Sequence, residues 1–150
     1  MEYDCLLACW EQRNVLLTAI LNLTGQIEVQ SSQLDIRLGD LPEQRQVYID
    51  RLKKCNRMID GYKSKAGETE RARLREVLSG KADPAECTEE ERRLAACAQK
   101  SRRLLDSTLA SDTEARRKIR LECDRLRKRI RSARRKAGAA SRPSGSPNPV

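Results

Sequence analysis

The chain is predicted to be all-α: an elongated antiparallel helical bundle or coiled coil of three main helices plus a short connecting helix. Three observations lead there. Charged residues make up 35% of the chain and aromatic residues only 3%, with no phenylalanine, a balance typical of long helices and coiled coils. No stretch alternates β-branched and polar residues at period two, so strands have no support. Residues 88–137 contain neither proline nor glycine. At ~1.5 Å per residue such a stretch makes a rod of roughly 75 Å, which cannot bury an apolar stripe against itself.

The first helix is expected over residues 2–38. Leu6, Cys9, Leu16, Ile20, Leu23, Ile27 and Leu34 fall on one heptad-like stripe, with Leu17 and Leu38 beside it. Gly39-Asp40-Leu41-Pro42 then reads as a corner. Gly39 can take the left-handed conformation, Asp40 can cap the next helix, and Pro42 is tolerated in a first turn. The competing reading is one helix bent at residues 39–42. The second helix, residues 41–65, carries Tyr48, Leu52, Cys55, Ile59 and Tyr62 at alternating spacings of four and three. A short corner makes the first two helices antiparallel neighbours.

Gly67, Gly80 and Asp83-Pro84 punctuate residues 66–87. Between them lies a short helix over residues 68–78, anchored by Leu74, Val77 and Leu78. The long helix, residues 88–137, opens on Thr88-Glu89-Glu90-Glu91, a capping box in which threonine and glutamate satisfy each other's amides. One apolar stripe runs from Leu94 to Leu109, and a second holds Ile119, Cys123, Leu126, Ile130 and Ala133. Ser111-Asp112-Thr113 interrupts them, as a kink or restart or, the preferred reading, as a solvated stretch of one continuous helix. Residues 1–137 thus form one bundle domain. Residues 138–150, rich in proline, serine and glycine, are expected to be a disordered tail.

Charge is unevenly spread. Residues 1–100 carry 16 basic and 17 acidic groups, whereas residues 101–150 carry 15 basic and 5 acidic ones. Twelve of the twenty-one residues from Arg116 to Lys136 are Lys or Arg. The basic patch comprises Arg116, Arg117, Lys118, Arg120, Arg125, Arg127, Lys128, Arg129 and Arg131. Such a patch suits a solvated helix face, an acidic protein or anionic membrane surface, or nucleic acid. For nucleic acid it lacks any aromatic residue for base stacking.

The acidic start Met1-Glu2-Tyr3-Asp4 does not fit a secretory signal. The most apolar run, Val15 to Leu23, is nine residues long, too short to span a bilayer. A cytoplasmic protein with no membrane span is expected. The six cysteines include no Cys-x-x-Cys pair, and there is no histidine. Reduced, structural thiols are therefore expected, with no metal and no cofactor. Without histidine the commonest general base is missing, and no phosphate loop or nucleophile motif occurs. The chain is not expected to be an enzyme.

The long helix exceeds either partner in length, so part of its stripe is expected to lie uncovered as a site for an amphipathic client helix. The client-binding candidates are Leu104, Leu105, Leu109, Ile119, Cys123, Leu126 and Ile130. A self-associating coiled coil (a homodimer) and a nucleic-acid-binding basic helix are the alternatives.

The order of elements resembles bacterial flagellar export chaperones of the FlgN/FliT type. The similar features are a Leu-rich first helix, Leu6 to Leu38, and the corner Leu38-Gly39-Asp40-Leu41 leading to Arg45, Ile49 and Leu52. A polar interval and a long basic-ended helix, Leu104-Leu105-Asp106 to Lys136, complete the pattern. The resemblance implies a chaperone or adaptor that holds terminal helices of flagellar axial or other secreted subunits before export. The C-terminal aromatic of some family members has no counterpart, since no aromatic follows Tyr62.

Overall fold

Leu6, Cys9, Leu16, Leu17, Ile20, Leu23 and Ile27 recur at helical spacing, and all are buried. They belong to α1, Tyr3–Ser31, around which the chain is wrapped. The computed structural model describes residues 2–141. Three further helices follow: α2 Leu41–Lys65, α3 Glu68–Ser79 and α4 Glu89–Ser141, with a 3-10 turn at Pro84–Glu86 before α4. The fold is all-α, and no strand occurs among the described residues.

α1 ends seven residues earlier than its periodicity predicts. The Ser31 and Ser32 hydroxyls donate back to the carbonyls of Ile27 and Glu28, at 2.7 and 3.2 Å. The amides of Ser32 and Gln33 close onto Val29 and Gln30, three residues back. Backbone bonds of this shorter span tighten the last turn of a helix, and here it stops. Leu34, expected on the stripe, is 84% exposed.

Gly39 is left-handed, with φ of 57°, but it shapes the turn into α2 and does not terminate α1. Asp40 occupies the N-cap position without a side-chain cap bond; its backbone carbonyl accepts the Gln44 amide at 2.9 Å. Pro42 sits in the first turn of α2 as expected. α1 and α2 are separate helices, not one bent rod.

The pairings give the directions. Cys55 donates its thiol hydrogen to the Cys9 carbonyl at 3.2 Å, Arg13 reaches Asn56 at 3.0 Å, and Arg45 approaches Thr24 at 3.5 Å. α2 therefore runs antiparallel to α1. Asn14 meets the Cys97 carbonyl, Glu28 meets Ser111, and Lys118 meets Ser32. α4 thus runs parallel to α1, as the third rod of an up-down-up bundle. It lies against α1 and α3 more than against α2.

All four helices meet in one core near the start of α1. Leu6, Cys9 and Leu16 pack there with Cys55 and Ile59, Leu74, Val77 and Leu78, and Leu94 and Ala98. Each fully buried leucine contributes roughly 1.5–3 kcal/mol relative to exposure. Trp10 borders this core, its ring flanked by the Arg13 guanidinium at 5.1 Å and the Lys63 ammonium at 5.8 Å.

The capping box forms and does more than cap. Thr88 accepts the Glu91 amide at 3.2 Å, and Glu91 accepts the Thr88 amide at 3.0 Å. The second Glu91 oxygen accepts from Arg73 Nε at 2.8 Å, tying α3 to the start of α4. α4 continues unbroken through Ser111–Thr113 as expected, but Ser111 and Asp112 are half-buried there and not solvated. It also passes Gly138, expected to lie beyond its end, and is helical to Ser141. The remainder of the predicted tail, 142–150, lies outside the described residues.

The Arg73 hydrogen bond, reinforced by the Thr88 amide, holds the Glu91 carboxyl below its ordinary value of 4.5. A depressed folded-state value stabilises the fold above the ordinary value and is lost as pH falls through the folded one. Urea midpoints of the native chain and Glu91→Gln should differ most above the ordinary carboxyl value of 4.5, and the difference should shrink as pH falls from there through the lower folded-state value. A difference independent of pH would contradict this role.

Candidate helix-docking surface on α4

Beyond the apolar core, the α1–α4 seam becomes polar in stages. At Asn14 the side-chain amide donates to the Cys97 carbonyl at 3.0 Å, and its oxygen accepts from Ser101. One level higher, Ser111 donates to Glu28 at 2.6 Å. Lys118 donates to Ser32 at 2.7 Å and lies 3.7 Å from Glu28. From α2, Arg45 reaches Asp112 at 2.8 Å, the two side chains being only 22% and 20% exposed. Asp112 also takes Arg116 at 2.8 Å. The expected interruption at Ser111–Thr113 is therefore a clasp that joins α4 to both other long helices. Buried polar groups keep their place only with partners, and each of these has one.

Further along α4, Arg125 donates to the Leu34 carbonyl at 3.5 Å. Every residue from Cys123 to Ala140 is exposed. The twelve of them from 126 to 137 make about 18 Å of helix.

The structure divides the predicted client-binding residues. Leu104, Leu105 and Ile119 are half-buried in the bundle. Leu109, Leu126 and Ile130 are exposed, at 63%, 44% and 51%, and Cys123 is exposed with them. The seven do not form one open surface. Leu104, Leu105 and Ile119 are structural in part, because α1 still runs beside them. Leu121, absent from the predicted set, is also exposed.

The basic residues divide the same way. Arg117 pairs with Glu114 at 2.5 Å and Arg125 with Glu122 at 2.6 Å; each contact holds its guanidinium above the ordinary range. Arg116 and Lys118 serve the clasp. Arg127 lies 3.6 Å from Asp124. Arg120, Lys128, Arg129 and Arg131 are exposed to solvent.

The six thiols are unbridged. Burial pushes Cys9, Cys55 and Cys97 up, which keeps them protonated and unreactive. Among the described residues no group of three or more Cys, Asp or Glu side chains is placed to hold a metal ion, and no helix is long and apolar enough to cross a membrane. Sequence reasoning missed Asn14, Ser101, Glu28, Arg45 and Asp112 as a set. Arg45, Ser101 and Asp112 did carry a signal, as polar side chains where the stripes call for apolar ones, whereas Asn14 and Glu28 lie one residue beside the α1 stripe and carried none. No family model, curated protein or solved structure matches the chain.

Asp112→Ala should destabilise the fold by roughly 1–3 kcal/mol in urea titrations, since it strands the half-buried Arg45, and Arg45→Met by less, since Asp112 keeps Arg116. The double variant should cost clearly less than the sum. Additive losses would show that the clasp carries no coupling.

Proposed function

We propose that the chain is a non-enzymatic, cytoplasmic chaperone or adaptor that binds amphipathic helices of client proteins along distal α4. One observation supports this reading above others. Once α1 stops at Ser31, α4 carries Cys123, Leu126 and Ile130 into solvent on a continuous helix. Apolar side chains repeated at helical spacing and left uncovered mark a helix-binding face. The first half of α4 is locked into the bundle by Leu94 and Ala98 and by the polar clasp. The distal half is thereby presented on a fixed base, which lowers the ordering cost of binding. Burying a few such side chains contributes several kcal/mol before those costs, in keeping with reversible micromolar affinity.

The clients to try first are terminal helices of flagellar axial subunits, by the resemblance in the order of elements. Fluorescently labelled peptides of those helices should bind the full chain at about micromolar Kd, and Leu126→Glu with Ile130→Glu should weaken binding at least tenfold. Leu126 and Ile130 are 44% and 51% exposed and lie outside the buried core, so thermal stability should hold. No binding by these peptides, while an unrelated amphipathic helix binds at the same residues, would remove the flagellar client. Binding unaffected by the double substitution would remove the site.

A further inference from the structure

Along α4, Leu94, Ala98, Ser101, Leu105, Thr108, Asp112, Ala115, Ile119 and Glu122 follow one another at alternating spacings of four and three, and all are buried or half-buried in the bundle. Continued beyond α1, that series would take Leu126, Arg129, Ala133 and Lys136. The apolar residues follow another series: Ile119, Cys123, Leu126, Ile130, Ala133, Ala137 and Ala140. Half of the stripe's positions thus move one residue on, about 100° round the helix. The distal stripe keeps Ile119, Leu126 and Ala133 of the intramolecular seam but turns away from it at Cys123, Ile130 and Ala137. It is a re-aimed heptad seam, three repeats long, that begins near the end of α1.

The side chains flanking this seam restrict what can lie on it. One flank holds Arg120, Arg127 and Arg134, and the other Glu122, Arg129 and Lys136. Flanking charges set partner choice and orientation in coiled coils. A second copy would fit poorly. Paired in parallel it sets Arg129 against Arg134, with Glu122 against Arg127 only offsetting that repulsion, and paired antiparallel it sets the arginine flank against itself. A membrane surface calls for a broad, bulky apolar face, whereas this seam is narrow and its last three positions are alanine. A nucleic-acid backbone has no use for the seam at all.

We propose that distal α4 pairs in heptad register with an acidic amphipathic helix of another protein, whose Asp and Glu residues oppose Arg120, Arg127, Arg129, Arg134 and Lys136. The partner helix needs roughly three heptads, about 21 residues. The proposal rests on the helix-binding reading and adds the charge and register of the client.

Three synthetic helices with the same apolar seam, flanked by Glu, Gln or Lys, test it against the full chain by fluorescence anisotropy. The Glu peptide should bind at least about tenfold tighter than the Gln peptide at low salt, with the gap narrowing at high salt. The Lys peptide should bind weakest. Arg120→Glu, Arg127→Glu and Arg134→Glu together should shift the preference toward the Lys peptide. Equal binding of the Glu and Gln peptides would overturn the charge match and leave helix binding standing. No binding by any of the three would overturn both. A dimer of the chain alone in sedimentation, lost on Leu126→Glu with Ile130→Glu, would make a second copy the occupant and overturn the proposal. Binding to anionic vesicles or duplex DNA that those two substitutions abolish, without peptide binding, would overturn it as well.

Discussion

At about 1.5 Å per residue, the 29 residues of α1 reach roughly half as far as the 53 of α4. That difference in length shapes the rest of the molecule. Where the two helices run side by side, α4 buries Leu94, Ala98 and Ala115. Where α1 has ended, nothing in the described chain lies over Leu126 and Ile130. A helix keeps its hydrogen bonds without neighbours, but its apolar stripe keeps its stabilising effect only where something covers it.

Position along the seam is held by polar contacts more than by apolar bulk. Leucine stripes with a seven-residue repeat can slide by one heptad at small cost. Asn14 against Ser101, Glu28 against Ser111, and Arg45 against Asp112 cannot. A slip would leave a buried or half-buried polar group without its partner. Arg45 is also the residue through which α2, packed chiefly on α1, reaches α4. The Thr88–Glu91–Arg73 cluster sets the other end by fixing where α4 begins relative to α3.

Much of this was readable from the residues. Three long helices and a short one, the capping box at Thr88, the left-handed Gly39 and the half-open stripe of α4 all follow from spacing and local chemistry. The end of α1 did not. Leu34 and Leu38 continue the periodicity, and periodicity carries no information about whether a neighbour is present to be packed against. The end is marked by the backbone, where the Ser32 and Gln33 amides close onto carbonyls three residues back; the serine hydroxyls bond as Thr18 and Thr24 do within α1 and do not set it. Gly138 misled in the opposite sense. Its cost of roughly 1 kcal/mol is offset by the alanines on either side, the best helix formers. The candidate surface was half legible. Exposure of Cys123, Leu126 and Ile130 follows from the surplus length of α4, whereas the partial burial of Leu104, Leu105 and Ile119 depends on how far α1 extends beside them.

Amide hydrogen exchange along α4 tests this account most directly. Strong protection should run from Leu94 through the clasp at Asp112 and fall away beyond Arg125, where no other element supports the helix. Protection that stays uniformly high to Ala140 in the isolated chain would contradict the account, because it would mean that the distal seam is already covered.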